Sequence, residues 1–129
     1  MPRANGPLLF IGGTGGDLRN KPNQLDSPLS EHFEIISYDQ RGLGQTSKPS
    51  GSYSMQQYAD DAASLLDELH IDTIPVMGVS FGGMVAQEFI KRHPSRVSKL
   101  VLGLYLFGRR WRFFLSFTRI RRVKRRRKT

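Results

Sequence analysis

Apolar residues along the chain cluster in short runs separated by longer amphipathic stretches. Pro7-Leu8-Leu9-Phe10-Ile11 is a continuous apolar run that ends in Gly12-Gly13-Thr14-Gly15-Gly16, which suits a strand buried on both faces and running into a tight loop. A short helix is predicted within Asn23 to His32, a second strand over Phe33 to Tyr38, and a long turn-rich loop over Asp39 to Gly51. Behind Ser54, with Gln57 completing a capping-box pattern, Met55, Tyr58, Ala62, Leu65, Leu66 and Leu69 recur at helical spacing on one face. Ile74 to Val79 reads as a third strand, Phe81 to Arg92 as a helix stopped by His93-Pro94, and Val97 to Tyr105 as a fourth strand. Strands alternating with helices predict an α/β fold, a mainly parallel sheet of about four strands with flanking helices.

Charge divides the chain where the pattern stops. Of the 20 Lys+Arg, 11 lie beyond Gly108 and 9 before it, whereas all 11 Asp+Glu lie before it. The formal charge of +9 therefore belongs to the tail, and residues 1–108 are expected to form one domain that is slightly acidic. Residues 109–129 are expected to be disordered or an isolated helix. The chain has no cysteine, which excludes disulfides, thiolate metal sites and a cysteine nucleophile. Neither the apolar run at Leu8 nor the longest one, Leu100 to Phe107, is long enough for a secretory core or a membrane span, so a cytoplasmic, soluble chain is expected.

The candidate chemistry sits at Gly78-Val79-Ser80-Phe81-Gly82. The Gly-x-Ser-x-Gly pattern falls where an apolar strand gives way to an apolar helix, the setting that lifts a serine hydroxyl above the sheet on a sharp turn. Small neighbours are needed there, hence Gly78 and Gly82, with Gly83 assigned to close helix–strand packing. The same turn aims the Phe81 backbone N–H, at the positive end of a helix, toward an oxyanion beside Ser80. The loop after the first strand is expected to supply a second donor from the backbone of Thr14 or Gly13, with Gly13 and Gly15 against the substrate. The bland alternative is a turn serine between glycines that serve packing alone.

Four stretches carry a specific resemblance: Phe10 to Asp17, Ser37 to Ser47, Gly78 to Gly83, and Met84 to Val97. Over about Pro7 to Leu104 the sequence resembles α/β-hydrolase-fold enzymes. That resemblance implies a sheet ordered second strand, first, third, fourth, an active-site floor shaped by Asp39 to Gly44, and acyl transfer to water from an ester, lactone or related small acyl substrate, with Ser80 as nucleophile. Many members carry His-Gly where this chain has Gly12-Gly13; that histidine is not the catalytic base, so the departure bears on the shape of the oxyanion loop.

Family members place an acid and then a histidine after the nucleophile, each from a separate strand end. Here only Glu88 and His93 follow Ser80, both on the helix that Ser80 opens. At 1.5 Å per residue, the path from Ser80 to His93 is about 20 Å, against the roughly 3 Å that proton transfer requires. His32 and His70 each close a helix and precede a strand, which puts them at the opposite edge of the sheet. The chain is therefore expected to be an incomplete α/β-hydrolase fold, truncated or joined to unrelated sequence near Gly108, and to have little or no hydrolase turnover alone. Its fourth strand is expected to be left as an uncovered edge.

Two non-catalytic alternatives rest on the tail. Arg109 to Arg112 and Arg121 to Lys128 would attract nucleic-acid phosphates, and Phe113, Phe114, Phe117 and Ile120 flanked by arginines would suit an anionic membrane surface. A solvated tail with no partner is the reading favoured over both. Gly13-Thr14-Gly15 fails the dinucleotide fingerprint because position 18 is Leu18. With no phosphate-loop pattern and no metal-ligand spacing, no cofactor and no metal are expected.

Overall fold

A computed structural model describes residues 5–13, 17–19, 24–26, 28–44, 46, 48, 50–103 and 118–119. Its strands are β1 (Pro7–Ile11), β2 (Glu34–Ser37), β3 (Ile74–Val79), β4 (Val97–Gly103) and β5 (Thr118–Arg119), and its α-helices are α1 (Met55–Glu68) and α2 (Phe81–Arg92). The sheet order is β2-β1-β3-β4-β5. The first four strands are parallel, in the order that the resemblance implied.

Each long element follows from its sequence. Ser54 caps α1 reciprocally: its Oγ accepts the Gln57 N–H at 3.1 Å, and Gln57 Oε1 accepts the Ser54 N–H at 2.8 Å. Pro94 ends α2, because its ring supplies no N–H to a helical carbonyl, and Lys91 and Arg92 in the last turn suit the negative end of the helix. Helix α2 packs on β1, β3 and β4 and α1 packs beside α2, and both turn small or apolar residues to one core. Ala59, Ala62, Ala63 and Leu66 of α1 and Val85, Ala86 and Phe89 of α2 are buried with Leu9, Ile11, Ile74 and Val76 of β1 and β3. Alanines on the buried face of α1 let it lie close, and burial of the larger side chains supplies about 25 cal/mol per Å² of apolar area removed from water.

Two sequence expectations change. The single helix within Asn23 to His32 is replaced by two 3-10 turns, Gln24–Asp26 and Pro28–Glu31; Pro28 opens the second turn and cannot continue a helix through it. Beyond Gly108, the described pair Thr118–Arg119 is a strand, antiparallel to β4. The β4 edge, expected to be uncovered, is accordingly paired at Lys99 and Leu100. The remaining tail residues, with both arginine runs and the phenylalanine stripe, lie outside the described residues, as do Leu104 and Tyr105.

Among the described residues, no helix is long and apolar enough to cross a membrane.

Candidate active site

Ser80 links β3 to α2 with φ 56° and ψ −120°, a backbone region that residues with a Cβ rarely occupy and that costs about 1–3 kcal/mol. The surroundings hold it there. Its N–H donates to the Gly103 carbonyl at the end of β4 at 2.9 Å, and its own carbonyl accepts from Gly83 N–H at 2.9 Å and Met84 N–H at 3.4 Å. The side chain makes no capping hydrogen bond to the helix, and the residue is exposed. Ser80 thus stands exposed at the carboxyl end of β3, with its hydroxyl not spent on capping the helix.

The flanking glycines are demanded by close backbone approach. A Cβ on Gly78 would lie 2.8 Å from both Ala86 Cβ and Gly83 Cα, and one on Gly82 would lie 2.5 Å from the Gly12 carbonyl oxygen and 2.6 Å from the Ile11 carbonyl carbon. The first turn of α2 therefore rests directly on the end of β1. Gly83 also packs on the strand, as its Cα would lie 2.8 Å from a Gly78 Cβ, but a Cβ on Gly83 itself would meet its nearest atom, the Gly78 oxygen, at 3.4 Å, an ordinary contact. The sequence places three glycines within one turn, and only the fold distinguishes the two at which an added carbon would overlap its neighbours.

Phe81 is the first residue of α2, so its N–H has no acceptor within the helix and lies at the positive end of the helix dipole. Gly13 comes next to the serine: a Cβ built on it would stand 3.6 Å from Ser80 Cβ. Thr14 and Gly15, the other expected donor and substrate contact, lie outside the described residues.

The loop after β2 forms a braced floor. Asp39 Oδ1 accepts the Leu18 N–H at 2.8 Å, and the Thr46 hydroxyl donates to the Asp39 carbonyl. Gln40, buried at 3% exposure, donates from Nε2 to the Gly12 carbonyl at 2.8 Å. Arg41 reaches α1 and grips Asp61 with two bonds of 2.9 and 2.8 Å, and an edge-to-face series runs from Tyr53 through Tyr58 to Phe81. Burial of the Tyr38 hydroxyl, helped by the Asp61 carboxylate, pushes its pKa above the ordinary 10. Sequence reasoning set Gln40 within the Asp39 to Gly44 loop but missed its individual role, because its contact is with a residue 28 positions away.

The chain's three histidines stand away from this crevice. His32 and His70 precede β2 and β3, and His93 precedes β4, so all lie at the amino edge of a parallel sheet whose carboxyl edge holds Ser80. The six residues of β3 alone separate the two edges by about 20 Å. His93 is engaged elsewhere, its Nε2 2.9 Å from Asp60 Oδ1 on α1. Among the described residues, no group of acidic, histidine or cysteine side chains could hold a metal ion.

Comparison with known proteins agrees with the fold. A family model described as alpha/beta hydrolase fold matches residues 6–103. A putative carbamate hydrolase, RutD of Yersinia enterocolitica, is 40% identical over 96 residues, covering 73% of this chain and 34% of the relative. A poly(3-hydroxyalkanoate) depolymerase of Ectopseudomonas oleovorans is 36% identical over 102 residues, covering 79% and 36%. Among solved structures, Est816, described as an N-acyl homoserine lactone degrading enzyme, superposes with a TM-score of 0.69 at 29% identity, over 79% of this chain and 39% of that one. The chain spans about a third of the length of the curated relatives it matches. With this strand order and a family match over residues 6–103, the chain belongs to the alpha/beta hydrolase fold family.

Proposed function

We propose that this chain carries the nucleophile and oxyanion-binding half of a serine acyl-hydrolase site, acting on an ester, lactone or related small acyl compound. Ser80 Oγ would attack the carbonyl carbon, and the Phe81 N–H, with a second N–H from the loop after β1, would hold the oxygen that becomes negative. Collapse of that intermediate expels the alcohol and leaves an acyl-serine, which water then cleaves. The observation that carries the reading is the strained backbone of Ser80: a turn serine kept only for packing has no need of a costly conformation at an exposed position. The names of the relatives support the substrate class, since a carbamate, a polyester and an acyl lactone are all attacked at a carbonyl carbon.

Proton transfer sets the rate of such a site. An unassisted serine hydroxyl is a poor nucleophile, and a base must come within about 3 Å of it. All three histidines of this chain lie at the other edge of the sheet, so the chain alone should react at Ser80 slowly and turn over little or not at all.

Incubation of the full chain with a fluorophosphonate, followed by intact-mass spectrometry, tests both parts. Labelling over hours, confined to Ser80 and lost in Ser80→Ala, is the expected result. Labelling that persists in Ser80→Ala would remove the nucleophile assignment. Labelling within seconds, with multiple turnovers of p-nitrophenyl acetate, would show that a base is present after all.

A further inference from the structure

The peptide joining Gly12 to Gly13 lies beside Ser80, and both of its residues lack a Cβ. Such a peptide has little intrinsic preference between its two flips, yet the chemistry distinguishes them sharply. One flip turns the Gly13 N–H toward the crevice, where it would attract an oxyanion. The other turns the Gly12 carbonyl there, where it would repel one.

The structure decides between them through Gln40. Its side chain is 3% exposed, and its Nε2 draws the Gly12 oxygen inward at 2.8 Å. That oxygen is also wedged against the first turn of α2, where a Cβ on Gly82 would lie 2.5 Å from it. Across a planar trans peptide the C=O and the following N–H point to opposite sides, so inward anchoring of the Gly12 oxygen turns the Gly13 N–H outward, on a residue that neighbours Ser80. Gln40 Oε1 is buried and finds no hydrogen-bond partner among the described residues. Burying an amide with its acceptor unmet is costly, and the bond to Gly12 is what the amide makes in return.

The geometry points to Gln40 as a positioning residue of the acyl site, holding the Gly12–Gly13 peptide so that the Gly13 N–H serves as an oxyanion donor; this rests on the reading of Ser80 as the nucleophile. The side chain touches no reacting atom. It fixes the sign of the dipole that the loop presents to the developing charge.

Nitrogen-15 relaxation and amide hydrogen exchange on the full chain test the lock without relying on activity. In the wild type the Gly13 N–H should be as rigid as the amides of β1, with an order parameter near 0.85, and yet exchange freely because it has no acceptor. A Gly13 amide that is protected like those of β1 is already hydrogen-bonded, and overturns the proposal. In Gln40→Leu, similar in size but without a donor, the Gly13 order parameter should fall below about 0.6 while β1 and β3 are unchanged. Fluorophosphonate labelling of Ser80 should slow about tenfold at saturating probe, less than the roughly 100-fold or greater cost of deleting a donor outright, with probe affinity unchanged. Gln40→Glu should label slowly at high pH and recover as its carboxyl gains a proton and can donate to Gly12, a pH profile that a purely structural role would not produce. Unchanged Gly13 order and labelling in folded Gln40→Leu would refute the assignment. If Gly13 behaves as described but labelling survives Ser80→Ala, the lock stands and the nucleophile reading is what fails.

Discussion

At the turn that carries Ser80 the contacts are backbone against backbone. Ser80 is held by the Gly103 carbonyl and by the Gly83 and Met84 amides, and Gly78 and Gly82 leave no room for a single added carbon. At the amino edge the contacts are between long side chains: Arg96 with Asp67 at 2.8 Å, Arg92 with Asp60 at 3.1 Å, and His93 with Asp60 at 2.9 Å. Backbone packing fixes atoms within tenths of an ångström, whereas flexible ion pairs at a surface tolerate adjustment and contribute little each. The comparison separates the backbone-packed turn that carries Ser80 from an edge fastened by side chains, and the three histidines lie at the latter.

The largest effect should come from adding one carbon at the crowded edge. Gly82→Ala would drive a Cβ into the backbone of Ile11 and Gly12, which no side-chain rotation can relieve, and should cost about 3 kcal/mol, the upper part of the usual range for overpacking. Gly83→Ala, one residue on, meets only an ordinary 3.4 Å contact and should be neutral or stabilising by up to about 1 kcal/mol through helix propensity. Urea unfolding of the two variants measures the contrast directly. Equal costs would mean that the close approach of α2 to β1 is wrong.

The next effect has the opposite sign. Ser80→Gly should relieve the backbone strain at φ 56° and raise stability by about 1 kcal/mol, the relief being partly offset by the greater freedom of glycine in the unfolded chain. It should also abolish phosphonate labelling. Gain of stability with loss of reactivity would mark the position as strained for function; a destabilised variant would show that no strain was stored there.

How far the sequence carried depends on whether the cause was local. Helix α1 was legible because the Ser54 and Gln57 cap and the apolar spacing behind it act within one helix. The β3–Ser80–α2 turn was legible for the same reason, as an apolar strand, a glycine-flanked serine and an apolar helix in direct succession. Strand order came from resemblance, since periodicity alone does not say which strands are neighbours. For Gln40, resemblance placed the Asp39 to Gly44 loop near the site, but nothing near it in the sequence reveals that its amide meets Gly12. Thr118–Arg119 is two residues long, too short to show alternation, and the two 3-10 turns before β2 lacked the length that distinguishes a helix.

The smallest effect belongs to the amino edge and is best seen with acid. Hydrogen bonds from His93 and then Arg92 hold the Asp60 carboxyl below its ordinary value of 3.8. A group whose pKa is depressed by folding binds its proton more readily in the unfolded chain, so its contribution is present above pH 3.8 and disappears as pH falls through the folded value. Asp60→Asn removes that contribution at every pH. The wild type should therefore be the more stable of the two near pH 6, and the gap should close toward pH 2. With the Asp60 side chain 44% exposed, the difference should stay below about 1 kcal/mol, well under the cost of Gly82→Ala. Paired urea titrations across that range test the ranking. A gap that stays constant with pH would show that Asp60 supports α2 through packing or geometry, and a gap larger than that of Gly82→Ala would invert the contrast between the two edges.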